Sequence, residues 1–367
     1  MKKSALSFGA LALFVPLTLK AIVPGEGIVL DSNTGDYIIT YANAVGRLKQ
    51  SRFMPSTKIN PTLNSKFDSQ HNSIRYRYAI RNGASSKQPL IGLTFNSVSN
   101  LWSRTSLPKT GQEQTQMYMQ HATNPTQLMQ MVVDNTRVVD APTGWSCDVL
   151  PVGETTPMGY RVACSFDDLD ENKRNGLQPG SGISGFGLYS LDLPGVGIGQ
   201  LDGFGDMGPS FKDEGPDGEI SDQLDKLIEN DYVPRPAAVP VIAVPVPFDA
   251  ATLLDRIRTE MLTWPGKQLL DATYAAKLDG LLSSAANAFR LSQPKAAKEH
   301  IETIRKLLAK EHHHIDLDDE DDEDTEEHKK ATRFTIDRLS ARVLDFDLRY
   351  VLKRTERDHE DHEQKKH

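Results

Sequence analysis

"VPRPAAVPVIAVPVP", residues 233–247, decides how this 367-residue chain is divided. Its valines and isoleucine suit a β-strand, but Pro234, Pro236, Pro240, Pro245 and Pro247 interrupt them. Proline fixes φ and supplies no N–H to a ladder, so a core strand is the weaker reading. The density of prolines favours extended polyproline II and predicts a semi-rigid spacer. On that reading the fold class is α+β and multidomain. An N-terminal antiparallel β-sandwich over 22–200 is followed by an acidic, glycine-rich segment and Pro-rich linker over 201–248. A C-terminal α-helical bundle fills 249–354, and 355–367 is a charged tail.

The pattern on the N-terminal side of the spacer has period two. In "SIRYRYAIRN" (73–82), Ile74, Tyr76, Tyr78 and Ile80 alternate with Arg75, Arg77 and Arg81, the mark of a half-buried strand. "PLIGLTF" (89–95) follows a turn-rich stretch, and the two runs read as a hairpin. "QMVVDNTRVV" (130–139), "GWSCDVL" (144–150), "GYRVACSF" (159–166) and "SGFGLYSL" (184–191) continue the series. Short strands at this spacing predict the sandwich. The stretch 111–131 is polar and Met-rich, a short helix or a long loop, and "EISDQLDKLIEN" reads as one short helix.

Beyond the spacer the period becomes 3.6. Leu253, Leu254, Ile257 and Met261 form one stripe, and Leu278, Leu281, Leu282, Ala285 and Phe289 a second. Ile301, Ile304, Leu307 and Leu308 form a third; Leu339, Val343, Leu344, Leu348, Val351 and Leu352 form a fourth. Ser292 and Pro294 mark a helix start. Four amphipathic helices that cannot bury their faces alone predict a small bundle. Within it, "YAAKLDGLLSSAANAFRLSQPKAAKEHIETIRKLLAKEH" (274–312) resembles the FIMAH-like helical-hairpin modules of bacterial secreted and surface proteins. The resemblance rests on Leu278, Leu281, Leu282, Ala285, Ala286, Ala296, Ala297, Ile301 and Leu308, about a tenth of the chain. It implies an appended interaction or architectural module and brings no reaction or site residues. "YRYAIRN" and "PGSGISGF" likewise resemble strand-rich domains of such exported proteins.

Export is also read from the first residues. Lys2 and Lys3 precede an apolar run from Ala5 to Leu19, and Ala21 offers a small residue for cleavage, the layout of a signal peptide over 1–21. The run is short for a membrane span and contains Pro16. A secreted or periplasmic chain suits its two cysteines: Cys147 and Cys164 predict one structural disulfide closing a hairpin-like loop. The net charge of −8 argues against a general nucleic-acid binder.

Few constellations suggest chemistry. Gly180, Gly182 and Gly185 match G-x-G-x-x-G, the dinucleotide fingerprint. That motif needs a strand before it and a helix N-terminus after it. Here a polar loop with Pro179 precedes, and β-suited residues with Gly187 and Pro194 follow, so the match predicts a turn entering a strand. Ser184 has Gly182 two residues before it but Phe186 two after, so no nucleophile elbow exists. "DEGPDGEISDQL" (213–224) places Asp213, Asp217 and Gly218 as in a calcium loop, with Asp222 as a substitute ligand. Gly215 and Leu224 stand where two ligands belong, and a Pro-Asp-Gly turn before a helix is the stronger reading. The acidic loop 312–328 joins histidines to a run of carboxylates, a solvated segment able to hold cations diffusely. His71 and His121 are the histidines available to a base before residue 300.

Three functions follow. The first is an exported non-enzymatic binding or structural protein, with a protein or carbohydrate partner, no nucleic acid and no membrane span after processing. The second is a calcium-dependent binding protein using Asp213, Asp217 and Asp222, calcium being the one cofactor considered. The third is an exported hydrolase whose site is assembled across loops.

Overall fold

The structure, a computed structural model, describes residues 24–43, 45–70, 73–99, 139–152, 159–167, 175–205, 216, 218–311 and 335–364. It combines antiparallel sheets with five α-helices among the described residues. The chain divides into two units: the residues up to Pro55 with Gly205–Asp231, and Ser56–Phe204 with Tyr232 onward.

The smaller unit holds β1 (Gly27–Leu30), β2 (Tyr37–Ala42) and β3 (Leu48–Phe53), paired in that order. Helix α1 (Gly218–Glu229) presents Ile220 and Leu224 to Ile39, Tyr41 and Phe53, which together form its core. Thus the short helix expected at "EISDQLDKLIEN" is present. The first strands bury their apolar face with α1, within this unit.

The larger unit has two sheets. The first runs β4 (Pro61–Gln70), β5 (Ser73–Asn82), β10 (Gly182–Ser190) and β7 (Val139–Asp140). In the second the order is β12 (Val233–Ile242), β11 (Leu193–Gly203), β6 (Leu90–Val98), β9 (Gly159–Phe166) and β8 (Trp145–Val152). Ile74, Tyr76, Tyr78 and Ile80 are buried as their alternation predicts. The expected β5–β6 hairpin is corrected: β5 pairs with β4 and β10, whereas β6 pairs with β11 and β9. The intervening turn crosses between sheets, held by the Asn82 side-chain amide donating to the Gln88 and Leu177 carbonyls (3.0 and 2.9 Å). From β5 the Tyr78 hydroxyl reaches the Ala238 carbonyl of the other sheet (2.8 Å), and its ring meets Phe95 at 4.5 Å.

The spacer expectation is also corrected, because residues 233–242 form an edge strand. Its proline positions explain how. Pro234, Pro236, Ala238 and Pro240 lie opposite Gln200, Ile198, Val196 and Pro194 of β11. At these even-numbered positions the backbone turns away from β11: the Ala238 N–H donates to Ser65 Oγ (2.9 Å), and Pro240 O accepts from the Ser99 N–H (2.8 Å). Alternate residues of an antiparallel edge strand direct their N–H groups outward. The prolines therefore occupy sites that owe nothing to the ladder, while Val233, Arg235, Ala237 and Val239 face β11. The missing donors also leave this edge a poor template for another strand.

Helices α2 (Ala250–Met261), α3 (Ala272–Arg290), α4 (Pro294–Glu311) and α5 (Arg338–Gln364) follow. Each of the four predicted stripes lies on one of them. Asp249 caps α2 by accepting from the Thr252 N–H, Asp271 caps α3, and Asp337 accepts from Leu339 N and Ser340 N at the start of α5. Helix α5 is buried on several sides, through Ala341, Val343, Leu344, Leu348 and Val351, and touches β11 and β12 as well as α2 and α4. One core runs from Tyr76 and Phe95 through Val196 and Val239 to Leu254, Leu278 and Leu344. The helices thus share their core with the strands, where a spacer would have kept two cores apart.

Candidate binding face

The first sheet of the larger unit buries one side, and period two sends the other residues outward. Along β4 the outer positions are Thr62, Asn64, Lys66 and Asp68, opposite Arg81, Ala79, Arg77 and Arg75 of β5. Those in turn oppose Gly182, Ser184, Gly187 and Tyr189 of β10, and Asp140 of β7 stands beside Gly187. Lys66, Arg75, Arg77 and Arg81 thus share one face with Asp68 and Asp140. Among the described residues, four cationic and two carboxylate side chains share that face.

The carboxylates order the arginines without covering them. Arg77 Nη2 lies 3.0 Å from Asp68 Oδ1, with 40% of the arginine side chain exposed. Arg75 Nη2 lies 3.6 Å from Asp140 Oδ2 and its guanidinium sits over the Tyr189 ring, 5.6 Å from the centroid. Such partly exposed pairs contribute little stability, and their cations stay available to a better acceptor.

The open part of the face carries small side chains at Ala79, Gly182 and Ser184, whereas Gly187 is buried against the Asp140 side chain. The glycine-rich stretch that matched the dinucleotide fingerprint builds this floor. Gly180 turns at φ 84°, and Gly185 at φ 114° sits in the bulge between Ser184 and Phe186. Both conformations favour glycine. The stretch enters a strand and not a helix N-terminus, as its context predicts.

The other candidate residues are dispersed. Cys147 and Cys164 oppose each other on β8 and β9 and form the disulfide, at a sequence separation of 17. Asp222 lies on α1 with its residue exposed. Asp213 and Asp217, His71 and His121, the acidic loop 312–328, residues 111–131 and the N-terminal 1–21 lie outside the described residues. Among the described residues no three His, Cys, Asp or Glu side chains stand together as a metal site would need, and no helix is long and apolar enough to cross a membrane.

Sequence reasoning missed a buried polar group of residues behind the face. Ser99 Oγ donates to Asp192 Oδ2 (2.5 Å), Asp192 being 2% exposed, and the Tyr76 hydroxyl donates to the Asp192 carbonyl (2.8 Å). Burial pushes both Tyr76 and Tyr78 well above the ordinary phenol range, so both remain donors. Asp347 on α5 is buried as well. One signal was legible: it falls three residues after Leu344 and four before Val351, on the apolar stripe itself.

Comparison with protein-family models, curated proteins and solved structures finds no match to the chain.

Proposed function

We propose that this chain is an exported, non-enzymatic binding protein whose partner presents carboxylates to the outer face of β4, β5 and β10. The observation that carries the reading is the alignment of Arg75, Arg77 and Arg81, with Lys66 beside them, along one face of β4, β5 and β10. Guanidinium groups match carboxylates two donors at a time, and neighbouring outward positions on β5 repeat at about 6.6 Å. An extended acidic chain, carbohydrate or polypeptide, suits that spacing and the shallow floor. In this reading the two facing sheets form a β-sandwich and the helices a bundle that braces it. Export is supported by the signal-like residues 1–21 and the Cys147–Cys164 disulfide.

The test is binding of the disulfide-bonded protein to a carboxylated polysaccharide, to polyglutamate and to a neutral polysaccharide. Binding to one acidic probe, weakening with salt and falling at least tenfold in Arg77→Ala/Arg81→Ala (about 1.4 kcal/mol or more), is expected. The two acidic arms separate carbohydrate from polypeptide. Retention of neither acidic probe, or equal binding by the double variant, would sink the reading.

A further inference from the structure

Among the described residues, helix α5 carries a buried carboxyl group without a hydrogen-bond partner. Asp347 is 1% exposed, and neither of its carboxyl oxygens has a hydrogen-bond partner among the described residues. Asp345, two residues earlier and also buried, is differently placed. It lies 2.8 Å from the Nε of Arg305 on α4 and 2.8 Å from that of Arg349. Two residues turn a helix by about 200°, so those arginines stand on another side and give Asp347 nothing.

The charged groups around Asp347 make its ionisation harder. From α2 comes the Glu260 carboxylate, which accepts from Trp264 Nε1 (3.2 Å) and stands 3.7 Å from Lys267 Nζ. From β5 comes Tyr76, a phenol that is fully buried. The Asp192 carboxyl, just before β11, acts on Tyr76 as Asp347 does, and on β12 the Arg235 Nε donates to the Pro61 carbonyl (2.7 Å). On α4, Arg305 is held by Asp345 and Glu302. Burial first, and then Glu260, raise the Asp347 carboxyl well above the ordinary carboxylate range.

We propose that Asp347 is a proton-operated latch: its neutral carboxyl lets α5 seat against β11 and β12, and losing that proton loosens the helix. In the unfolded chain an aspartate releases its proton near pH 4, whereas the folded chain keeps it to higher pH. Between those two values the unfolded state binds fewer protons, so stability falls as pH rises. The folded-to-unfolded ratio drops up to tenfold per pH unit, then levels off above the folded value. Below about pH 4 the group costs nothing.

Thermal melting of the full disulfide-bonded chain from pH 5 to 9 tests this, with Asp347→Asn and Asp347→Leu beside the unaltered protein. Hydrogen exchange of α5 and α4 amides, corrected for intrinsic rates, accompanies it. The midpoint of the unaltered protein should fall by several degrees with rising pH, and both variants should lose most of that slope. At the alkaline end the amides of α5 should open more readily than those of α4. A folded variant that keeps the full slope overturns the proposal, as does a slope without selective opening of α5. Should neither variant fold, Glu260→Gln reads the same latch: a shallower slope supports it and an unchanged one refutes it.

Discussion

Placing one proline at the wrong parity of the edge strand should undo it. Val239 is 2% exposed and faces Gly195 of β11, on the positions whose backbone meets the ladder. Val239→Ala removes two buried methyl groups at a cost of about 2 kcal/mol. Val239→Pro removes comparable packing, and in addition the N–H directed to β11. It leaves a buried carbonyl opposite without its donor, costing about 1–3 kcal/mol, and crowds the ladder with the ring. The proline variant should therefore be about 3 kcal/mol or more less stable than the alanine variant. Against a total of about 5–15 kcal/mol for a folded domain, that difference is large. Pro236→Ala, at the opposite parity, should change stability by no more than about 1 kcal/mol. Urea unfolding of the four proteins, at matched m-values, reads these differences as shifts in midpoint. If Val239→Pro is no worse than Val239→Ala, residues 233–242 do not pair with β11 and the argument from proline parity is wrong.

Two further outcomes follow from individual bonds. Replacing Cys147 and Cys164 together by serine should cost about 3 kcal/mol, from the chain entropy released to the unfolded state, measured as a lowered urea midpoint under non-reducing conditions. A double variant as stable as the parent would show that the cross-link adds nothing to the β8–β9 pairing. Asp249→Ala should cost about 1 kcal/mol through the lost α2 cap. The Thr252 N–H lowers the Asp249 carboxyl, so its contribution is present above the unfolded value near pH 4 and lost as pH falls through the lowered folded value. Melting from pH 6 to 2 should show the two proteins converging in acid, and a constant difference would contradict the cap's charge dependence.

Period two and period 3.6 are properties of a few consecutive residues, and there the chain is legible. β5 spans the residues its alternation marks, the four stripes beyond residue 249 lie on four helices, and Cys147 meets Cys164. The candidate face was half legible: Arg75, Arg77 and Arg81 stand on one side of β5 by alternation alone. That Lys66 joins them depends on the β4–β5 hairpin, and that the small residues of β10 do depends on pairings between residues roughly a hundred positions apart. Asp347 was hidden for a related reason. A carboxylate on an apolar stripe is unremarkable when an arginine meets it, as Asp345 is met, and only packing reveals that none among the described residues meets Asp347.

Sequence alone thus marked β5, β10 and the helices, because local sterics and side-chain periodicity act within one turn or one pleat. It also determined where the glycine turn and the disulfide belong. Tertiary structure decided the meaning of "VPRPAAVPVIAVPVP". A proline is harmful only where its nitrogen owes a hydrogen bond, and which nitrogens owe one is set by a partner strand about thirty to fifty residues away in the chain. With β11 beside it, alternate prolines are compatible with a strand, and the expected spacer becomes the edge over which strands and helices share one core.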